Sequence, residues 1–224
     1  MLHIIWDLDG TLIDSKKEII DCILLAIKDA GREIAGIEKL LKVGPKIDVM
    51  LRNAFGEQGL SKEELEAIIG HYRLRYDNCE FENTRPYSGI EKILFDTRSF
   101  VHHIVTNKPD LAANRIITKL GWAEYITSID TPYSGCNSIL TGRISRSKAE
   151  IFEAVISRYS GEKALFCAVG DMPEEILAAK ANGILSIGVL WGYSSVEQFS
   201  ICNSDFVVNT INELNALLLG MCDE

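Results

Sequence analysis

Short apolar runs that end in turn or acidic residues recur along the chain: Leu2 to Trp6, Val101 to Val105, Ile126 to Ile129, Ala164 to Val169, Leu185 to Trp191 and Phe206 to Val208. They are apolar on both faces and alternate with helical patterns. That combination predicts strands of a parallel sheet covered on both sides, and hence an α/β protein.

One interval breaks the alternation. Residues 15 to 86 read as helices with no convincing strand, and Ser15-x-x-Glu18 and Ser61-x-x-Glu64 predict capping boxes that open helices at 16–30 and 62–78. A parallel crossover needs only about a dozen residues, so this interval reads as an inserted helical domain, with 1–14 and 87–224 forming the core. Its hinges are expected at Asp14-Ser15 and Asn83 to Gly89, where Pro86 and Gly89 interrupt regular structure. No internal repeat or low-complexity tract is visible.

Composition narrows the class further. With 224 residues, 47% hydrophobic and 25% charged, the chain is neither disordered nor collagen-like, and it is long enough to bury a core without staples. A net charge of −9 opposes nucleic acid and anionic membranes as partners. The six cysteines, Cys22, Cys79, Cys136, Cys167, Cys202 and Cys222, form no C-x-x-C pair and read as reduced thiols of a cytoplasmic protein. The N-terminus lacks a basic region before its apolar run, and no run approaches the roughly 18 apolar residues of a membrane span. A soluble, unprocessed protein is expected.

The strongest chemical signal follows the first strand. Asp7-Leu-Asp-Gly-Thr11 puts two carboxylates at the carboxyl end of a buried strand, the edge where open α/β sheets bind ligands. At ordinary residue usage a D-x-D-G-T arises by chance on the order of once in several hundred chains of this length. A helix cap needs no second acid, and Asp14 and Ser15 already serve that purpose. A calcium loop would start Asp7, Asp9 and end at Glu18, but Leu12 stands where such a loop needs Gly, and a strand precedes it. A solvated turn is the remaining bland alternative. Two close carboxylates repel unless a cation neutralises them, and Mg2+ suits oxygen ligands together with phosphate and water. The pair therefore points to phosphate chemistry.

These residues resemble the haloacid dehalogenase superfamily, whose first motif D-x-D-G-T-L-x-D-S is matched by Asp7 to Ser15. The resemblance implies a Rossmann-like parallel sheet core with an inserted α-helical cap domain. It also implies that Asp7 is the nucleophile forming an aspartyl-phosphate and that Asp9 is the general acid and base, with Gly10 and Thr11 beside the substrate. Dehalogenases of the superfamily lack the second Asp, so its presence favours phosphoryl transfer.

Three further motifs follow in order. Val101 to Lys108 ends a strand in Thr106 and Asn107, where the family places a hydroxyl that bonds the phosphoryl group; taken alone they are a strand-end Thr and a turn Asn. Ser147-Lys-Ala-Glu150 reads as a capping box with Lys148 in the first helical turn, where a cation opposes the helix dipole. An anion bridging Lys148 and the helix start removes that penalty. The family uses this lysine to stabilise nucleophile and phosphate. Ala149 replaces a common proline, and Arg143, Arg146 and Lys163 are nearby alternatives. Gly170-Asp-Met-Pro-Glu-Glu175 matches G-D-x-x-x-D with Glu175 in place of the second Asp. Asp7, Asp9, Asp171 and Glu175 are the implied metal ligands, while Glu174 reads as ordinary acidic decoration of a helix start. Gly188 to Tyr193 extends the likeness, which is greatest to the phosphoglycolate phosphatase-like branch.

In that branch a cap loop reads the leaving group, and Val43-Gly-Pro-Lys46 occupies the matching place, with Lys46 either a substrate contact or a solvated helix-start lysine. Arg52, Arg73 and Arg75 are weaker candidates. His71, His102 and His103 read as structural, lying mid-helix or within a strand. No P-loop or dinucleotide fingerprint is present. The expected function is a Mg2+-dependent phosphatase of a small phosphorylated metabolite. A sugar phosphomutase of the same superfamily and a phosphorylation-switched binding module are the alternatives; the oligomeric state is left open.

Overall fold

Strand β1 (Leu2–Trp6) opens the chain, followed by the short β2 (Ile13–Asp14) and helices α1 (Lys16–Asp29), α2 (Ile47–Phe55) and α3 (Lys62–Asn78). A second short strand, β3 (Arg85–Pro86), leads into α4 (Ile90–Leu94), β4 (Phe100–Val105), α5 (Asp110–Lys119) and β5 (Ile126–Asp130). The remainder is α6 (Lys148–Arg158), β6 (Leu165–Gly170), α7 (Pro173–Ala181), β7 (Leu185–Val189), α8 (Val196–Ile201), β8 (Phe206–Val208) and α9 (Ile211–Gly220). The computed structural model describes residues 1–56, 59–132, 146–159 and 164–222. Cys136, Arg143 and Lys163 lie outside the described residues.

All six apolar runs are strands of one sheet, in the order β5-β4-β1-β6-β7-β8 with every neighbouring pair parallel. This is the expected α/β, Rossmann-like arrangement. The chain builds outward from β1 to β4 and β5, then returns to β6 on the other side of β1. Strand order therefore reverses at β1, and the crevice at the carboxyl ends of β1, β4 and β6 is where such sheets take ligands.

Registry follows from the ladders. Trp6 is level with Ile104 on one side and Val169 on the other, so the residues just beyond the three strands, Asp7, Thr106 and Asp171, gather at one edge. Asp7 N continues the ladder by donating to Val169 O at 2.9 Å. On one face of the sheet, Ile151, Phe152 and Val155 of α6 and Ala178 and Ala179 of α7 pack with Ile5, Val105, Phe166 and Ala168. That apolar contact pins the starts of both helices, Lys148 and Pro173, to the same edge.

The chain divides into two compact units, Met1–Asp14 with Pro86–Glu224, and Ser15–Arg85. Among the described residues of the second unit, all regular structure is helical apart from Arg85. There the Ser61 capping box forms as expected, with Glu64 N on Ser61 Oγ at 3.1 Å and Ser61 N on Glu64 Oε2 at 2.9 Å. The box expected at Ser15 does not: Ser15 makes no side-chain cap bond, and the Glu18 carboxylate instead accepts from Asn83 N at 2.7 Å. Glu18 is buried, so it satisfies the returning backbone rather than its own helix start. The strands β2 and β3 were not expected, because two residues carry no periodicity. Among the described residues no helix is long and apolar enough to cross a membrane.

Candidate active site

The segment after β1 turns sharply. Gly10 N donates to Ile13 O at 2.8 Å, and Gly10 adopts φ +84°, a left-handed conformation suited to glycine. A Cβ there would lie 2.2 Å from Asp171 Oδ2, and one on Gly192 would lie 2.3 Å from Asp171 Cβ. Both glycines are needed for the two loops to close around the Asp171 carboxylate. That carboxylate accepts from Tyr193 N at 2.8 Å and from Thr11 Oγ1 at 3.3 Å. Thr11 thus bonds Asp171 directly.

Lys148 is buried at the first turn of α6, whose start is fixed by the Ser147–Glu150 capping box. Its Nζ donates to Asp7 Oδ1 at 2.8 Å and also to Glu175 Oε1. The other Glu175 oxygen accepts from Met172 N at 3.0 Å. Glu175, expected among the metal ligands, has both oxygens engaged by protein donors. Its extra methylene lets it reach Lys148 while still closing the start of α7.

Burial, helped by the neighbouring Glu175 and Asp9 charges, outweighs the pull of Lys148 and raises the Asp7 carboxyl to about 7. Asp171 is likewise held well above the usual carboxylate range by burial, then by Asp7 and Glu175. Burial disfavours the Lys148 charge, but Asp7 and Glu175 outweigh it and hold the ammonium above its ordinary range. Within the buried group Lys148, Asp7, Glu175 and Asp171 one cation faces three acids. The excess of acids over cations, which a bound cation would allow to ionise, and the all-oxygen donor set suit a hard divalent cation. Among the described residues no group of three or more His, Cys, Asp or Glu forms a ready metal cage. Mg2+ asks for none, being held by one or two carboxylates with phosphate and water.

The loop after β4 completes the edge. Thr106 is buried and its Oγ1 accepts from Lys108 N at 3.2 Å. Asn107 Nδ2 donates to Glu174 Oε2 at 2.8 Å, so Glu174 ties two loops together rather than serving as surface decoration. Sequence reasoning also missed Lys108, a buried lysine whose Nζ pairs with Asp9 Oδ2 at 2.9 Å. Its only sequence signal is its place two residues beyond Thr106.

Lys46 belongs to the helical unit, half-buried at the start of α2. His71 lies in α3, as expected. His102 accepts from Trp6 Nε1 at 3.0 Å, and His103 bonds His3 and Ser128, each at 3.0 Å. Both histidines are buried within β4.

A Rossmann-like parallel sheet with this switch point, carrying the acidic pair, the lysine and the second acidic loop, is the arrangement of one recognisable hydrolase family. The haloacid dehalogenase-like hydrolase model matches residues 4–189 of the 224, and the chain belongs to that family. Phosphoglycolate phosphatase of Xanthomonas campestris pv. campestris is 29% identical over 196 residues, covering 85% of this chain and 83% of that protein. Phosphoglycolate phosphatase of Agrobacterium fabrum is 28% identical over 223 residues, covering 96% and 91%. A haloacid dehalogenase-like family hydrolase from Streptococcus pneumoniae has a similar fold, with TM-score 0.78, 20% identity and coverage of 97% of this chain and 98% of that one. The likeness carried by Asp7 to Ser15 thus extends across the chain.

Proposed function

We propose that the protein is a Mg2+-dependent phosphatase of a small phosphorylated metabolite, of the phosphoglycolate type, acting in the cytoplasm through an aspartyl-phosphate on Asp7. The observation that carries this reading is the buried Lys148 Nζ at 2.8 Å from Asp7 Oδ1, at the ligand-binding edge of the sheet. A lysine so placed orients the carboxylate and meets the negative charge of the phosphoryl group. The two phosphoglycolate phosphatases above, similar over most of their length, support the substrate class.

In the first step an Asp7 oxygen forms a bond to phosphorus as the bond to the leaving oxygen breaks, and Asp9 gives that oxygen its proton. Water then attacks the aspartyl-phosphate, passing a proton back to Asp9, and inorganic phosphate leaves with Asp7 restored. Thr106 and Asn107 border the phosphoryl group, as do Gly10 and Thr11. Asp7 and Asp171 would hold Mg2+, with Asp9 contributing through its main chain while Lys108 holds its Oδ2. When bound, the ion supplies positive charge and a template for the phosphoryl oxygens. Glu175 positions Lys148. The insertion 15–86 acts as a cap in which Lys46 helps to read the leaving group.

Phosphate release from a panel of phosphoglycolate, sugar phosphates, nucleotides and pyrophosphate tests this reading. A Mg2+-restored, EDTA-silenced release from a small phosphomonoester is expected. Conversion of glucose 1-phosphate to glucose 6-phosphate without phosphate release, or release in EDTA, contradicts it.

A further inference from the structure

The two aspartates directly after β1 are each paired with a lysine. Asp7 is held by Lys148 from α6, and Asp9 by Lys108 from the loop after β4, at 2.8 and 2.9 Å. The second pair is the one that the family motifs leave without a role.

The loop carrying Lys108 is braced on every residue. Thr106 N donates to Asp130 O at 3.2 Å, Lys108 N donates to Thr106 Oγ1 at 3.2 Å, and Asn107 is tied to Glu174 at 2.8 Å. These bonds anchor the loop to β5 and to the start of α7 independently of the Lys108 side chain. The Lys108 side chain is only 2% exposed, whereas its partner Asp9 is 19% exposed. A lysine in a surface loop ordinarily keeps its ammonium in water, and a buried ion pair is weak as a stabilising device. The Asp9 carboxylate is the acid that this buried ammonium meets. The Asp9 main chain is already held by its bridge to Ile13, so what remains to be set is the direction of its side chain.

We infer that Lys108 is a positioning residue for Asp9: by holding Oδ2 it fixes the direction from which a proton carried on Oδ1 is delivered to the leaving oxygen, Oδ1 returning to its unprotonated form as the proton leaves. The inference rests on the acid role proposed for Asp9. A proton donor works only within about 2.6–3.2 Å of its acceptor, and a misplacement of about 1 Å can cost on the order of 10²-fold.

Leaving-group dependence separates positioning from folding. Lys108→Met, Lys108→Gln, Asp9→Asn and the double variant Asp9→Asn/Lys108→Met are compared on an alkyl phosphomonoester, which needs the acid, and on p-nitrophenyl phosphate, which scarcely does. Burst kinetics isolate the first step, and thermal melts check folding. Asp9→Asn should cost about 10²–10⁴-fold on the alkyl ester and far less on the aryl ester. Lys108→Met should show the same preference at about 10–100-fold, and add less than about 2-fold to Asp9→Asn.

Equal losses on both substrates, or losses that multiply with Asp9→Asn, overturn the inference while leaving the acid role of Asp9 standing. If Asp9→Asn itself shows no leaving-group preference, the acid role fails and the inference fails with it. If neither Lys108 variant folds, the lysine is a folding element and the inference is likewise overturned.

Discussion

Lys148 Nζ reaches Asp7 Oδ1 at 2.8 Å across 141 residues of sequence, and the same ammonium meets Glu175. A single buried cation thereby joins the strand end, the start of α6 and the start of α7. Lys148→Met leaves two buried carboxylates without their partner, a type of change that costs about 3–5 kcal/mol. We expect urea unfolding in EDTA at pH 8 to show a loss of that order, with turnover falling by about 10²-fold or more. A variant with unchanged stability and turnover would show that the contact does nothing for either.

Asp171 and Glu175 should separate in a Mg2+ titration of activity. Asp171 is cradled by Tyr193 N and Thr11 Oγ1, whereas Glu175 is engaged by Lys148 and Met172 N. Asp171→Asn should raise the half-saturating Mg2+ concentration by about 10-fold or more, as loss of a charged ligand does. Glu175→Gln should leave it within about 3-fold and lower kcat instead, because it loosens Lys148. The reverse ranking would make Glu175 the ligand.

The glycines beside Asp171 are steric requirements. In Gly10→Ala the new methyl would fall 2.2 Å from Asp171 Oδ2 on a backbone at φ +84°. In Gly192→Ala it would fall 2.3 Å from Asp171 Cβ and 2.5 Å from Gly10 O. Each should cost about 1–3 kcal/mol, the usual range for overpacking, and displace Asp171. Melting temperature and Mg2+ requirement should worsen together, and a variant with both unchanged would remove the cradle from the account.

His102 supplies the pH dependence that is easiest to isolate. Burial pushes its pKa from 6.5 down to about 4, so between those values the unfolded chain takes the proton more readily than the native one. Its contribution is therefore present above pH 6.5 and lost as pH falls through about 4. The difference is worth roughly 3 kcal/mol at about 1.36 kcal/mol per unit. His102→Asn keeps an acceptor near Trp6 Nε1 but does not titrate. Urea stabilities of the two proteins should converge by about that amount as pH is lowered, and parallel curves would show that His102 is protonated as readily when folded.

The strands were legible because strands buried on both faces must be apolar throughout, and Leu2–Trp6 and Phe206–Val208 match the expected runs end to end. The Ser61 and Ser147 boxes were legible because both partners are local. Ser15 failed for a non-local reason: Asn83 N takes the Glu18 carboxylate. Lys108 was missed because nothing local distinguishes it; the β1–β4 ladder brings it to Asp9. Glu174 and Glu175 look alike in sequence, yet one holds Asn107 and the other Lys148. Tyr193 contributes a backbone N–H, which no residue identity reveals.

The central claim is covalent chemistry at Asp7, and trapping the intermediate addresses it most directly. Enzyme with Mg2+ and a small phosphomonoester is quenched during turnover, reduced with borohydride and digested for peptide mass spectrometry. Reduction of an aspartyl-phosphate turns that aspartate into homoserine. We expect homoserine at position 7 in the native protein, dependent on substrate, and none in Asp7→Asn. Reduction at another acid, or rapid turnover with Asp7 never modified, would contradict the account.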